Sequence, residues 1–306
     1  MAVLAISSHV VMGRVGLRAI APALEAFAIA THILPTVTLP WHPGQGPGTR
    51  STNEGFDALL ADLASLQPGE LDGILTGYFA NARQVEATAR FVKQMKAQDP
   101  KLLYLCDPVL GDGGQLYVPQ DVAEAIRDRL VPLADMLTPN VFELSWLTQT
   151  HIEDAEDAAI ASHTLAPHAK MILASSVPAD SEGHMTMVLT VPPQSGSTNE
   201  DTVEVQTMAH ARFDAAPKGT GDLMAAIFLA LVLSDASPET ILSRTTYVMF
   251  EMVSIANQIE SDVLPVEAAL SELIADLQQA DMDDEDADQL DLIFPEMNDD
   301  PAPSVH

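Results

Sequence analysis

The most informative stretch of the chain reads Pro217-Lys218-Gly219-Thr220-Gly221-Asp222-Leu223-Met224-Ala225-Ala226. Two glycines and a threonine stand directly before a strongly apolar segment, which predicts a buried helix that begins near Thr220. The first amides of a helix have no partner within it and can point at an anion. Glycine permits close approach and positive φ, and the helix end favours phosphate oxygens by about 0.3 to 1 kcal/mol at an exposed site. The stretch therefore predicts an anion-binding site.

Asp222 lies in the first turn of this predicted helix. On its own, Gly-Thr-Gly-Asp is a weak signal, and Asp222 can be read simply as a carboxylate that balances the helix dipole. The signal gains weight from the rest of the chain, where other polar loops follow predicted strands.

Working outward from this stretch, short β-type runs alternate with longer segments of helical period, the pattern of a parallel sheet with crossover helices. We predict one doubly wound α/β domain over residues 1–279, with a mostly parallel sheet flanked by helices, and an acidic, disordered C-terminal tail over 280–306. The predicted strands are Val3–Ile6, His32–Val37, Gly73–Leu75, Leu102–Leu105, Met136–Leu137 and Met171–Ala174, followed by a hairpin of Met185–Val191 and Val203–Val205 joined by the polar loop Pro192–Asp201. The predicted helices are Leu17–Phe27, Gly55–Leu66, Arg83–Gln98, Asp121–Leu130, one opened by Asn140, and three that begin near Thr220, Pro238 and Val266.

The charge balance limits the possible partners. The 306 residues carry a formal charge of −30, and the segment Asp281–Asp300 contributes ten acidic residues and no basic one. A surface this negative repels nucleic acid and anionic lipid, so neither is an expected partner. The apolar run Met224–Leu233 is too short for a membrane span, and the single cysteine, Cys106, forms no intramolecular disulfide. These features predict a cytoplasmic protein whose tail either improves solubility or docks another, unidentified protein.

Two polar loops follow predicted strands and add candidates for chemistry. Asp107-Pro108-Val109-Leu110-Gly111-Asp112 comes after one strand, and Thr138-Pro139-Asn140 with Glu143 comes after another. Ligands of open α/β sheets bind at the carboxyl ends of the strands, and spaced carboxylates suit a divalent cation held largely through water. The alternatives are a plain Asp-Pro turn and a helix cap at Asn140.

These motifs, in this order, resemble those of the pyridoxal kinases, which belong to the ribokinase-like superfamily. The resemblance runs from about residue 2 to about residue 278 and leaves the tail outside. Its motifs are Ser7-Ser8-His9-Val10-Val11, His42-Pro43-Gly44, Thr76-Gly77-Tyr78, Asp107 to Asp112, Thr138-Pro139-Asn140 with Glu143, and Gly219 to Asp222.

The resemblance implies ATP-dependent phosphorylation of the 5′-hydroxymethyl group of pyridoxal, with Mg²⁺ and with a monovalent cation left open. It implies that Asp222 is the catalytic base and that the amides of Gly219, Thr220 and Gly221 hold the transferred phosphoryl group. It further implies a homodimer. By the same resemblance, Ser8, His42, Tyr78 and Asp222 bind substrate, Asp107, Thr138, Asn140, Glu143, Ser175 and Thr220 bind ATP, and Asp107, Asp112 and Glu143 bind the metal.

The sequence also departs from the family pattern. Pro43 stands where many members have a substrate-contacting threonine, Leu17 and Arg18 replace an Asn-Ser pair, and Ala174 precedes Ser175 where a threonine or lysine often touches nucleotide. Preference among pyridoxal, pyridoxine and pyridoxamine therefore stays open. Two alternatives remain: a weakly catalytic vitamin-binding protein with a partner-recruiting tail, and a hydroxymethylpyrimidine kinase. The latter group resembles this chain with cysteine at the position of Asp222.

Overall fold

The computed structural model describes residues 1–166, 169–192, 203–213 and 215–280, with the side chains of 277–280 left aside. Within these residues, nine strands form one sheet in the order β11-β10-β9-β8-β5-β4-β1-β2-β3. The strands from β9 to β2 in this order run parallel, whereas β10, β11 and β3 pair antiparallel at the two edges. The mostly parallel sheet is confirmed. The predicted polar loop Pro192–Asp201 lies largely outside the described residues, and so does the predicted acidic tail apart from Ala280, which ends α9.

The elements have the following bounds. The strands of the large sheet are β1 Ala2–Val10, β2 Ala30–Leu39, β3 Ser51–Thr52, β4 Gly73–Thr76, β5 Leu103–Cys106, β8 Met136–Leu137, β9 Met171–Pro178, β10 His184–Val191 and β11 Glu204–Ala211, and a small hairpin pairs β6 Gly111–Asp112 with β7 Gln115–Leu116. The helices are α1 Leu17–Ala26, α2 Phe56–Leu63, α3 Ala82–Gln98, α4 Gln120–Ala125, α5 Val141–Thr148, α6 Ala155–Leu165, α7 Thr220–Leu233, α8 Pro238–Gln258 and α9 Ser271–Ala280. Wider π-helical turns follow α4 at Ile126–Leu130 and precede α9 at Val266–Leu270.

Side chains alternate across the sheet and build one apolar layer on each face. Val3 and Ala5 of β1 pack with α1, α7 and α8, whereas Leu4 and Ile6 pack with α2, α3 and α4 on the opposite face. Helix α7 is buried all along Leu223–Leu231, as expected of a helix at the centre of a layer. Within the described part of the chain, the helices are too short or too polar to span a lipid bilayer.

The order of the strands decides where a ligand can bind. Strand β1 lies between β2, which follows it through α1, and β4, which returns to its other side. The order in which the strands are added to the sheet therefore reverses at β1. Open α/β sheets bind ligands at such a point, in the crevice beyond the carboxyl ends of the strands. Ser8 and Tyr78 lie at this position.

Several predicted boundaries were too narrow. Strand β1 extends from the predicted Val3–Ile6 to Ala2–Val10, so that Ser8 lies inside it and not at its end. Strand β9 likewise continues past Ala174 to Pro178, which places Ser175 within a strand. The predicted helix over 121–130 is an α-helix only to Ala125 and then widens.

Candidate active site

A cavity of about 740 Å³ opens at the carboxyl ends of the parallel strands. The structure brings together in its walls every residue that the sequence analysis selects for a site. These residues are Ser8, His42, Tyr78, Asp107, Asp112, Thr138, Asn140, Glu143, Ser175, Gly219, Thr220, Gly221 and Asp222. They come from seven separate segments of the chain, and only the fold makes them neighbours.

The N-terminus of α7 forms one wall of this cavity. Gly219 precedes the helix with φ of 98°, and a Cβ atom there would lie 2.0 Å from the carbonyl oxygen of Arg14. Both the left-handed backbone and this close approach require glycine. No side chain among the described residues caps α7, so the first amides of the helix can serve an anion in the cavity.

Asp222 accepts a hydrogen bond of 2.8 Å at Oδ2 from the amide of Gly16, which precedes α1. The carboxylate thus connects the N-termini of two helices; it makes no cap hydrogen bond to α7, although it lies in the first turn of that helix, where it can also balance the helix dipole. Its side chain is partly exposed to the cavity. Burial raises the pKa of Asp222 to about 6, and the hydrogen bond from Gly16 opposes part of this rise.

Asp107 lies on the floor of the cavity, after β5. It is 5% exposed and accepts a hydrogen bond of 3.2 Å from the hydroxyl of Thr138. Burial raises the pKa of Asp107 well above its usual range, and the nearby carboxylates of Glu143 and Asp222 raise it further. Three carboxyl groups therefore share one cavity, and two of them disfavour the charged form of Asp107.

Glu143 is the buried side chain that organises the loop after β5. One carboxylate oxygen accepts from the amide of Leu110 at 2.7 Å, and the other accepts from the amide of Asn140 at 3.0 Å. The Asn140 side chain caps α5 in return and also donates to the carbonyl of Gly111 at 2.9 Å. Burial raises the pKa of Glu143 to about 7 against the effect of these amides. The helix-cap interpretation of Asn140 is thus confirmed.

The oxygen-rich wall formed by Asp107, Thr138 and Glu143 fits a hard divalent cation, because Mg²⁺ prefers oxygen ligands. The described residues nevertheless bring together no cluster of three His, Cys, Asp or Glu side chains able to hold a metal. Asp112 lies on the exposed β6–β7 hairpin, where its carboxylate accepts from the amide of Gly113 at 2.7 Å. Mg²⁺ usually binds one or two carboxylates together with substrate phosphates, so the wall suits a metal that arrives with a nucleotide.

The opposite end of the cavity is formed by Ser8, His42 and Tyr78. His42 accepts a hydrogen bond of 3.0 Å at Nδ1 from the amide of Gly44, and burial followed by the charge of Lys218 lowers its pKa. The hydroxyl of Tyr78 accepts from Arg50 at 2.6 Å, and the guanidinium also lies over the Tyr78 ring, 5.8 Å from its centroid. This end combines an aromatic ring, a neutral imidazole and one cation.

Arg50, Gly16 and Val109 are cavity or supporting residues that the sequence analysis did not select. Arg50 follows a glycine-rich loop and belongs to no motif. Val109 has φ of 48°, which is unusual for a β-branched residue and typical of strained backbone at functional sites. The early glycine at 16 was visible in the sequence, but its partner is 206 positions away.

Ser175 lies beside the Asn140 loop. Its amide donates to the carbonyl of Pro139 at 3.0 Å, and the two segments form a short parallel bridge. The hydrogen bond holds the ends of β8 and β9 together at the cavity edge, where the sequence analysis placed nucleotide contacts.

Comparison with known proteins agrees with this geometry. The phosphomethylpyrimidine kinase family matches residues 57–267. The pyridoxal kinase of Sus scrofa is 33% identical over 239 residues, 74% of each chain, and the pyridoxine/pyridoxal/pyridoxamine kinase of Bordetella avium is 35% identical over 246 residues, 78% of this chain and 79% of that one. The pyridoxal kinase of Leishmania donovani in complex with ADP and pyridoxamine has a TM-score of 0.78 at 26% identity, over 89% of this chain and 95% of that one. The chain therefore belongs to the pyridoxal kinases, within the wider phosphomethylpyrimidine kinase family.

Proposed function

We propose that this protein transfers the γ-phosphoryl group of ATP to the 5′-hydroxymethyl oxygen of a vitamin B6 vitamer. Curated relatives that match three quarters of the chain are named as kinases of pyridoxal, pyridoxine and pyridoxamine. The Leishmania donovani relative binds ADP and pyridoxamine in one complex. A cavity of about 740 Å³ has room for both a nucleotide end and a small aromatic alcohol.

One observation carries this proposal: the Asp222 carboxylate lies in the first turn of α7, next to the amides that can hold an anion. In the reaction, the 5′-oxygen forms a bond to the γ-phosphorus while the bond from that phosphorus to the β–γ bridging oxygen breaks. Asp222 accepts the hydroxyl proton, a role typically worth about 10² to 10⁴ in rate. The amides of Gly219, Thr220 and Gly221 stabilise the charge on the transferred group.

The oxygen-rich wall formed by Asp107, Thr138 and Glu143 is proposed to hold the metal and the phosphates of the nucleotide. Asp107 is the most direct candidate ligand, with Glu143 and Asp112 acting on the metal through water. A metal held there would neutralise negative charge on the phosphates of the nucleotide. Thr138, Asn140, Ser175 and Thr220 are proposed to line the nucleotide end.

The other end is proposed to hold the vitamer ring. Tyr78 offers an aromatic face and Ser8 a hydrogen bond to the ring. His42 offers an imidazole whose Nδ1 already accepts a hydrogen bond from Gly44, so that in the neutral ring Nε2 carries the proton that can be donated. Pro43 stands at the position of a substrate-contacting threonine in many relatives and cannot donate that hydrogen bond. The preference among the three vitamers is therefore measured in the substrate panel below.

The proposal also covers the oligomeric state and the location of the protein. We expect a homodimer in the cytoplasm, with neither nucleic acid nor membrane among its partners. Light scattering after size-exclusion chromatography measures the dimer directly.

A substrate panel tests the function. Purified protein is incubated with Mg²⁺, ATP and each of pyridoxal, pyridoxine, pyridoxamine and hydroxymethylpyrimidine, and the phosphorylated products are separated by chromatography. We expect phosphate on the 5′-oxygen of at least one B6 vitamer. Phosphorylation of hydroxymethylpyrimidine alone would assign the other activity, and binding of pyridoxal without turnover would support a storage protein.

A further inference from the structure

The loop between β1 and α1 contacts both working parts of the proposed active site. Its Gly16 amide donates to Oδ2 of Asp222 at 2.8 Å. Its Arg14 carbonyl oxygen lies where any side chain on Gly219 would have to be, 2.0 Å from the position of a Cβ atom. The position of this short loop therefore decides the positions of both the carboxylate and the start of α7.

The side chain of Arg14 does not line the cavity of about 740 Å³ and instead forms a bidentate ion pair with Glu267. Nε donates to Oε2 of Glu267 at 2.8 Å, and the terminal nitrogen Nη2 contacts Oε1, while Nη1 donates to the carbonyl of Gly13 at 3.0 Å. The Arg14 side chain is only 18% exposed. A bidentate ion pair fixes the relative orientation of the two side chains in addition to stabilising the structure, whereas an ordinary surface ion pair contributes little of either.

The backbone that carries Glu267 is anchored by buried neighbours, although the Glu267 side chain is 63% exposed. It lies in the π-helical turn before α9, in which Val266 and Leu270 are 2% and 1% exposed and pack in the same apolar layer as α1 and α7. Just upstream, Val263 forms a short parallel bridge with Lys218, the residue before Gly219. The segment 263–270 thus supports the β1–α1 loop on one side and the entry to α7 on the other.

We propose that Arg14 and Glu267 form a positioning pair for phosphoryl transfer. The pair fixes the β1–α1 loop against the segment 263–270, so that the Gly16 amide holds Asp222 and the Arg14 carbonyl fits against Gly219. Neither side chain touches the reacting atoms. The kinetic part of this inference rests on the proposed kinase function, whereas its structural part, the order of the loop, does not.

Glu267→Gln and Arg14→Gln test the pair. Because misplacement of a catalytic group by about 1 Å can cost about a hundredfold in rate, we expect kcat to fall about tenfold or more. KM for both substrates should stay within about twofold. Hydrogen exchange followed by mass spectrometry should be faster in peptides that cover Gly16 and Asp222, and the double swap Arg14→Glu with Glu267→Arg should recover part of kcat.

The matched control is Asp57→Asn, which breaks an ion pair of 3.1 Å with Arg83 on the opposite face of the sheet. That variant should leave kcat and exchange near Gly16 unchanged. Wild-type kcat and exchange in Glu267→Gln would overturn the proposal, as would a loss of kcat matched by the control. If the wild-type protein phosphorylates no vitamer, the proposed function fails, and exchange at Gly16 still decides whether the pair orders the loop.

Discussion

Asn140 and Glu143 cap helix α5 reciprocally. The amide of Glu143 donates to Oδ1 of Asn140 at 2.9 Å, and the amide of Asn140 donates to Oε2 of Glu143 at 3.0 Å. The second oxygen of Glu143 accepts from Leu110 at 2.7 Å. One buried carboxylate therefore joins the loop after β5 to the start of α5. Glu143 thus has a structural role that is independent of any role in metal binding.

Two substitutions distinguish these contributions. Glu143→Ala leaves buried amides without partners and should lower the free energy of unfolding by about 2 to 4 kcal/mol. Glu143→Gln keeps one acceptor and the size of the side chain, so it should cost about 1 kcal/mol while removing the charge. We expect Glu143→Gln to raise severalfold the Mg²⁺ concentration needed for half-maximal activity. Denaturant unfolding and a Mg²⁺ titration measure both effects, and an Ala variant as stable as wild type would contradict the structural part.

The convergence of loops was predictable, because parallel strands end at one edge of a sheet and polar residues after different strands must meet there. This rule predicted Asp107 and Thr138, the glycine-rich start of a helix predicted Asp222, and resemblance to a known family supported all three. The family could also be recognised because its motifs keep their order in the sequence.

Other parts were not predictable, for physical reasons. Strands β3 and β6 have two residues each, too few to show a period of two, and α6 is rich in alanine, which gives a weak apolar pattern. The position of Arg50 against Tyr78 depends on the path of a glycine-rich loop. No local rule relates Gly16 to Asp222, since their hydrogen bond forms only after α1 and α7 pack.

Replacement of the proposed base tests the chemistry. Asp222→Asn keeps an oxygen that can accept from Gly16 but loses the ability to accept a proton. We expect kcat to fall at least a hundredfold, in line with the loss of a general base, and the Kd of pyridoxal to change by less than about threefold. Steady-state kinetics and calorimetric titration provide the two numbers. Near-normal turnover would remove Asp222 from the mechanism.

The pH dependence of the rate follows from the raised pKa of Asp222, about 6. A base works in its charged form, which is present above this pKa and is lost as the pH falls through it. We therefore expect kcat/KM for the vitamer to decline below about pH 6 and to approach a tenfold loss per pH unit, because kcat/KM reports ionisation of the enzyme before the vitamer binds. Rates are measured between pH 5 and pH 8 at saturating MgATP, with circular dichroism at each pH to exclude unfolding. A flat profile down to pH 5 would argue against a carboxylate of raised pKa as the base.

The same pKa predicts that Asp222 lowers stability at neutral pH. A carboxyl group with a raised folded-state pKa binds its proton more tightly in the folded state. The stability it contributes is present below the unfolded pKa and is lost as the pH rises through about 6. Asp222→Asn should therefore be more stable than wild type at pH 8, by on the order of 1 to 3 kcal/mol, and show only about a third of that gain at pH 4.5, where the unfolded chain still holds part of its protons. Thermal unfolding at both values measures this, with the exposed Asp62→Asn as a control that should shift neither Tm. An equal gain at both values would point to a cause other than titration.

The two glycines at the start of α7 allow the anion-binding role to be separated from folding. Alanine at 219 must adopt φ of 98° and place its Cβ 2.0 Å from the Arg14 carbonyl, so Gly219→Ala should lose about 2 to 4 kcal/mol of stability together with activity. The Cβ atom of an alanine at 221 would have no described atom within 4 Å, and its methyl group would become part of the cavity lining. Gly221→Ala should therefore keep the Tm of wild type but lower kcat/KM for ATP about tenfold or more, because the methyl group occupies space next to the amides. If the stable Gly221→Ala variant uses ATP as well as wild type does, the transferred phosphoryl group lies elsewhere in the cavity.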